Sequence, residues 1–99
     1  MVDLSDRVAI VTGGASGIGR STARQLASAG AAVAIADING EGAEEVAHGI
    51  RAAGGDALAV TTDVARPHEI ESMVERVVSH FGALHVLCNN AADLSLLER

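Results

Sequence analysis

The chain has 99 residues, room for one domain with a core of its own but near the small end for independent stability. Apolar residues make up 48% and charged residues 20%, which excludes a disordered chain. A net charge of −6 argues against nucleic acid or an anionic membrane surface as partner.

Residues 7–12 (RVAIVT) predict a first strand, short, β-branched and buried on both faces. Ile18, Thr22, Leu26 and Ala29 then follow helical spacing as far as Gly30, a natural stop. Residues 31–37 (AAVAIAD) predict a second buried strand. Ala43, Val46, Ala47 and Ile50 recur at i, i+3, i+4 and i+7 with Glu44, Glu45 and Arg51 outside them, a second amphipathic helix ended by Gly54-Gly55. Residues 56–63 read as a third strand. Pro67 suits the first turn of a third helix, whose stripe of Ile70, Met73, Val74, Val77, Val78 and Phe81 is the most regular in the chain. Gly82 closes that helix, and residues 83–90 (ALHVLCNN) read as a fourth strand.

Alternating strands and helices predict an α/β fold: a partial, Rossmann-like doubly wound parallel sheet. Reversal after the third strand gives the order 3-2-1-4, with the first two helices on one face and the third on the other. The whole chain, residues 1–99, reads as one part of such a domain, ending after the fourth strand.

Between the first strand and first helix, VTGGASGIGRS places four glycines between Gly13 and Gly19. Such a turn opening a helix is a phosphate site: free N–H groups and the positive end of the helix dipole converge there. Gly13 permits the tight exit, Gly17 lets a pyrophosphate approach the backbone, and Gly19 is expected to let the helix pack on the sheet. The spacing Gly-x-x-x-Gly-x-Gly is one residue different from the common dinucleotide fingerprint. Asp37, which ends the second strand 18 residues after Gly19, suits the acid that binds an adenosine ribose.

Other candidates are weaker. His48, His68, His80 and His85 lack metal-ligand spacing. Cys88, the one cysteine, reads as a small buried hydrophobe; it excludes an intrachain disulfide and points to a reducing compartment. Acids precede the first apolar run, unlike a signal or transit peptide, and no run is long enough to cross a bilayer. A cytoplasmic protein is the expectation. Glu41, Glu44 and Glu45 read as a solvated helix start, and Ser95 as tail.

These residues resemble the short-chain dehydrogenase/reductase family. TGGASGIG carries its Thr-Gly-x-x-x-Gly-x-Gly motif at Thr12, Gly13, Gly17 and Gly19. Asp63-Val64 resembles its Asp-Val pair, whose carboxylate receives the adenine amino group, and NNAA resembles its Asn-Asn-Ala-Gly motif, with Ala92 in place of the Gly. The resemblance implies that Ser16, Ile18, Ile38, Asn90 and Ala91 also line the cofactor cleft. It implies NAD rather than NADP: Asp37 would accept the ribose hydroxyls and repel a 2′-phosphate, and Ser16 and Ile38 stand where NADP users tend to place a basic residue.

That family's chemistry uses a Tyr-x-x-x-Lys pair, a Ser and a more distant Asn, the Tyr acting as general acid or base. This chain contains no Tyr, and all seven of its basic residues are Arg. No catalytic residue is therefore expected in it. The resemblance is to the N-terminal, cofactor-binding part of an oxidoreductase more than twice as long, a homo-oligomer in its full-length relatives. A stand-alone dinucleotide-sensing module and a non-catalytic partner of a full-length homologue are the alternatives. An uncovered fourth strand should leave an apolar edge and make the isolated chain marginally stable and prone to aggregate.

Overall fold

Val8, Ala9, Ile10 and Val11 are all buried, so β1 (Val8–Thr12) is covered on both faces, as its unbroken apolar run requires. The computed structural model describes residues 2–90. After β1 come α1 (Gly17–Ser28), β2 (Ala32–Asp37), α2 (Gly40–Ala52), β3 (Asp56–Thr61), α3 (Pro67–Phe81) and β4 (Val86–Asn89). The strands form one parallel sheet in the order β3-β2-β1-β4, the α/β architecture expected.

Register assigns the two faces. Val11 pairs with Ile35 and Cys88, and these side chains face α1 and α2 together with Val33. Ile10 pairs with Ala34 and Leu87 and faces the other way, where α3 brings Met73 and Val77 against Val8, Ile10, Ala34, Ala36 and Val60. Two helices on one face and one on the other match the expected layering.

The helix ends follow local chemistry. Asn39 caps α2 by accepting the Gly42 N–H at 3.0 Å. Pro67 opens α3, and Gly82, at φ 87°, closes it with an N–H to Val78 O bond of 2.8 Å. No helix among the described residues is long and apolar enough to cross a membrane.

β3 stops at Thr61, two residues short of the expected end, and three further details differ from expectation. β4 is shorter than residues 83–90, because His85 still belongs to the approach: its N–H donates to Val8 O and its Nδ1 accepts the Val8 N–H, both at 2.9 Å. Cys88 is only half-buried, since β4 is an edge strand. Ile18 does not belong to the inward stripe of α1; it is 77% exposed, and Gly19 and Ala23 face the core instead.

Candidate functional site

The C-terminal ends of β1 and β4 adjoin where the chain order of the sheet reverses, the place where open α/β sheets bind ligands. The glycine turn crosses this point. Gly13 and Gly17 both have left-handed backbone, φ 67° and 58°, which other residues adopt only with strain. A Cβ on Gly17 would meet nothing within 4 Å, so the backbone there faces open space. Ser16 is the N-cap of α1 with no side-chain cap bond, and the first turn of α1 holds no acid. The positive end of α1 is thus left to an outside anion.

Gly19 lies against the residues that follow β1 and β4: a Cβ on it would lie 2.0 Å from Gly13 O and 2.8 Å from Asn90 Nδ2, so its absence lets the start of α1 close onto those strand ends. Gly14, an unassigned position of the motif, is equally constrained: a Cβ there would meet Ile35 Cγ2 at 2.8 Å. The Gly13 and Gly14 N–H groups donate to Ala36 O at 2.8 and 3.4 Å, tying the turn to β2.

Asp37 joins the turn to the next connection. Its Oδ2 accepts the Ala15 N–H at 3.1 Å, and its Oδ1 accepts the Asn39 N–H at 3.0 Å. Gly40 and Gly42 let the first turn of α2 come in close: a Cβ on Gly40 would be 2.3 Å from Thr61 Oγ1, and one on Gly42 3.1 Å from Ala15 Cβ. Ile38, 70% exposed, stands beside this group at the rim, as Ile18 does beside the glycine turn.

On the other side, the buried Thr12 hydroxyl donates to Asn89 Oδ1 and accepts the Asn90 N–H, both at 2.9 Å. The Asn90 amide also reaches Gly13 O at 3.5 Å. These contacts lock the end of β4 to the glycine turn. At the end of β3 the Thr62 N–H donates to Asp37 O at 3.0 Å, so Asp63 and the half-buried Val64 follow directly beside Asp37. Thr12, Gly13, Ser16, Gly17, Ile18, Gly19, Asp37, Ile38, Asp63, Val64 and Asn90 therefore collect along one edge of the sheet, while Ala91 and Ala92 lie outside the described residues. Sequence reading missed Gly14, Gly40 and Gly42; glycines at both N1 and N3 of α2 were the available signal.

An open backbone cradle at a helix N-terminus suits a phosphate, and two carboxylates on the adjoining strand ends suit the hydroxyls and amine of an attached nucleoside. That arrangement defines a dinucleotide-binding half of a doubly wound sheet. The family model described as short chain dehydrogenase matches residues 7–96, and the chain belongs to that family of oxidoreductases, carrying its nicotinamide-dinucleotide-binding region. It is 51% identical over 87 residues to cis-4-hydroxycyclohexanecarboxylate dehydrogenase of Sinomonas cyclohexanicum, covering 88% of this chain and 34% of the relative. With cyclohexanol dehydrogenase of an Acinetobacter species it shares 47% over 90 residues, 91% of this chain and 36% of the other. A crystal structure of hydroxysteroid dehydrogenase from Escherichia coli superposes with TM-score 0.89 at 35% identity, covering 92% of this chain and 39% of that one. A 7α-hydroxysteroid dehydrogenase complexed with NADH and 7-oxo glycochenodeoxycholic acid gives TM-score 0.84 at 34% identity, covering 86% and 33%. The chain thus spans about a third of the length of these relatives.

Proposed function

We propose that this chain binds NAD(H) in preference to NADP(H), as the cofactor-binding part of an oxidoreductase that moves a hydride between NAD(H) and an alcohol or carbonyl. The observation that carries the reading is the coupling of an open Gly17 backbone to Asp37 through the Ala15 N–H. Gly13, Ser16, Gly17 and Gly19 shape the cradle for the pyrophosphate, with Thr12 holding the turn against β4 and Ile18 at its rim. Both Asp37 oxygens keep lone pairs beyond their one backbone bond each, enough to accept the two ribose hydroxyls. A 2′-phosphate there would meet a like charge in a part-buried setting.

Asp63 and Val64 receive the adenine, with Ile38 covering its edge, and Asn90 lines the cleft toward the nicotinamide. The nicotinamide, when bound, supplies the hydride acceptor or donor. This chain, without Tyr or Lys, supplies docking and orientation and no general acid. The acidic charge and single cysteine favour a reducing, cytoplasmic setting.

The chain has no Trp and no Tyr, so the fluorescence of a reduced cofactor can be followed with little protein background. Titration should show NADH binding at least about tenfold more tightly than NADPH, the like-charge term being large enough for that. Asp37→Ala should narrow the gap. Equal affinity of the unaltered chain for both cofactors would overturn the NAD preference.

A further inference from the structure

The β3–α3 connection is crossed by a ring of polar contacts. The Asp63 N–H donates to Glu69 Oε1 at 2.9 Å, and Asp63 Oδ1 accepts the Ala65 N–H at 3.0 Å. Arg66 Nε lies 3.5 Å from Asp63 Oδ2 and 3.9 Å from Glu69 Oε2. The Asp63 carboxylate is thus held at both oxygens, one by backbone and the other by a guanidinium.

The Arg66 side chain is 64% exposed, and ion pairs that open to water add little to stability. What the pair does is directional. With Oδ1 tied to Ala65, the carboxylate could still pivot, and the cation on Oδ2 opposes that pivot. Glu69 closes the ring by accepting the Asp63 N–H, with its second oxygen 3.9 Å from Arg66 Nε. A carboxylate offers about four acceptor positions, so Asp63 keeps acceptor capacity beyond Ala65 and Arg66 for a donor.

We infer that Arg66 is a positioning residue for adenine recognition, holding the Asp63 carboxylate so that it accepts the exocyclic amino group of the base. The inference rests on the dinucleotide reading above and names the part of the chain that makes its adenine end selective. A base carrying a carbonyl at that position presents an acceptor to an acceptor, and it loses the bond.

The test compares NADH with its deaminated analogue, reduced nicotinamide hypoxanthine dinucleotide, by cofactor fluorescence on the full chain. The unaltered chain should prefer NADH by about tenfold, the usual scale for a hydrogen bond to a charged group. Arg66→Ala should reduce that preference to roughly twofold by weakening NADH alone, and Arg66→Lys should restore part of it. Arg66→Gln provides a second neutral variant if the first folds poorly by circular dichroism. An unchanged preference in both neutral variants would overturn the inference. So would a proportional loss of affinity for both cofactors, the mark of a purely structural role. No preference in the unaltered chain would remove Asp63 as the adenine reader and this inference with it, while leaving the separate NADH–NADPH comparison to decide on Asp37. Failure to bind either cofactor would overturn both readings.

Discussion

The two faces of the sheet are built from similar residues and end in different states. On the α1–α2 side, Val11, Val33 and Ile35 are fully buried, as are Ala43 and Ala47 of α2. On the α3 side, Ile10 is fully buried, yet Leu87, its in-register neighbour on β4, is 52% exposed. The α3 stripe is the more regular in sequence, but only Met73 and Val77 of its six apolar positions are buried. The less bulky stripe of α2 buries all four of Ala43, Val46, Ala47 and Ile50. Amphipathic pattern supplies the capacity to bury; the layer opposite and the helix alongside decide how much of it is used. α2 has α1 beside it, whereas among the described residues α3 covers its face alone.

Substitutions can break this contrast or sharpen it. Ile35→Ala on the closed face should cost about 2–5 kcal/mol in urea unfolding, and it also removes the methyl group against which Gly14 is seated. Val74→Ala, half-buried on the open face, should cost less than about 1 kcal/mol; a cost equal to that of Ile35→Ala would show the asymmetry to be false. Gly19→Ala should destabilise by about 1–3 kcal/mol and abolish NADH binding, since its methyl group would overlap the Gly13 carbonyl.

Smaller effects follow on the outer surfaces. Gly49, exposed within α2, has nothing within 4 Å of a Cβ, so Gly49→Ala should stabilise by about 0.5–1 kcal/mol. Leu87→Gln should change stability by less than about 0.5 kcal/mol while lowering self-association measured by light scattering. Unchanged association would mean that the open face is not what draws copies together.

The architecture was legible because each strand is a short apolar run bounded by turn residues, and each helix repeats its apolar residues at helical spacing. The backbone of Gly13 and Gly17 and the strand-end place of Asp37 were legible for a related reason: both depend on local sequence alone. Gly14, Gly40 and Gly42 were not, because each is required by a neighbour distant in sequence: Ile35, Thr61 and Ala15. The length of β4 was overread because its apolar run begins at Ala83 and Leu84, while the Val8 N–H there is satisfied by a His85 side chain instead of a ladder carbonyl. Pattern reports the face a residue turns to; it carries no information on which partner closes the last bond.

The double use of Asp37 constrains how cofactor preference can change in such a chain. Its carboxylate holds the Ala15 and Asn39 N–H groups as well as serving, in the function proposed above, the ribose. Replacing it with a small neutral residue removes the charge that disfavours a 2′-phosphate, but also leaves those two donors without their acceptor. The first step toward NADP therefore weakens the cradle for either dinucleotide. A lineage or an engineer making that switch needs a second change that re-anchors the turn, and the order of the two changes decides whether the intermediate retains any cofactor at all.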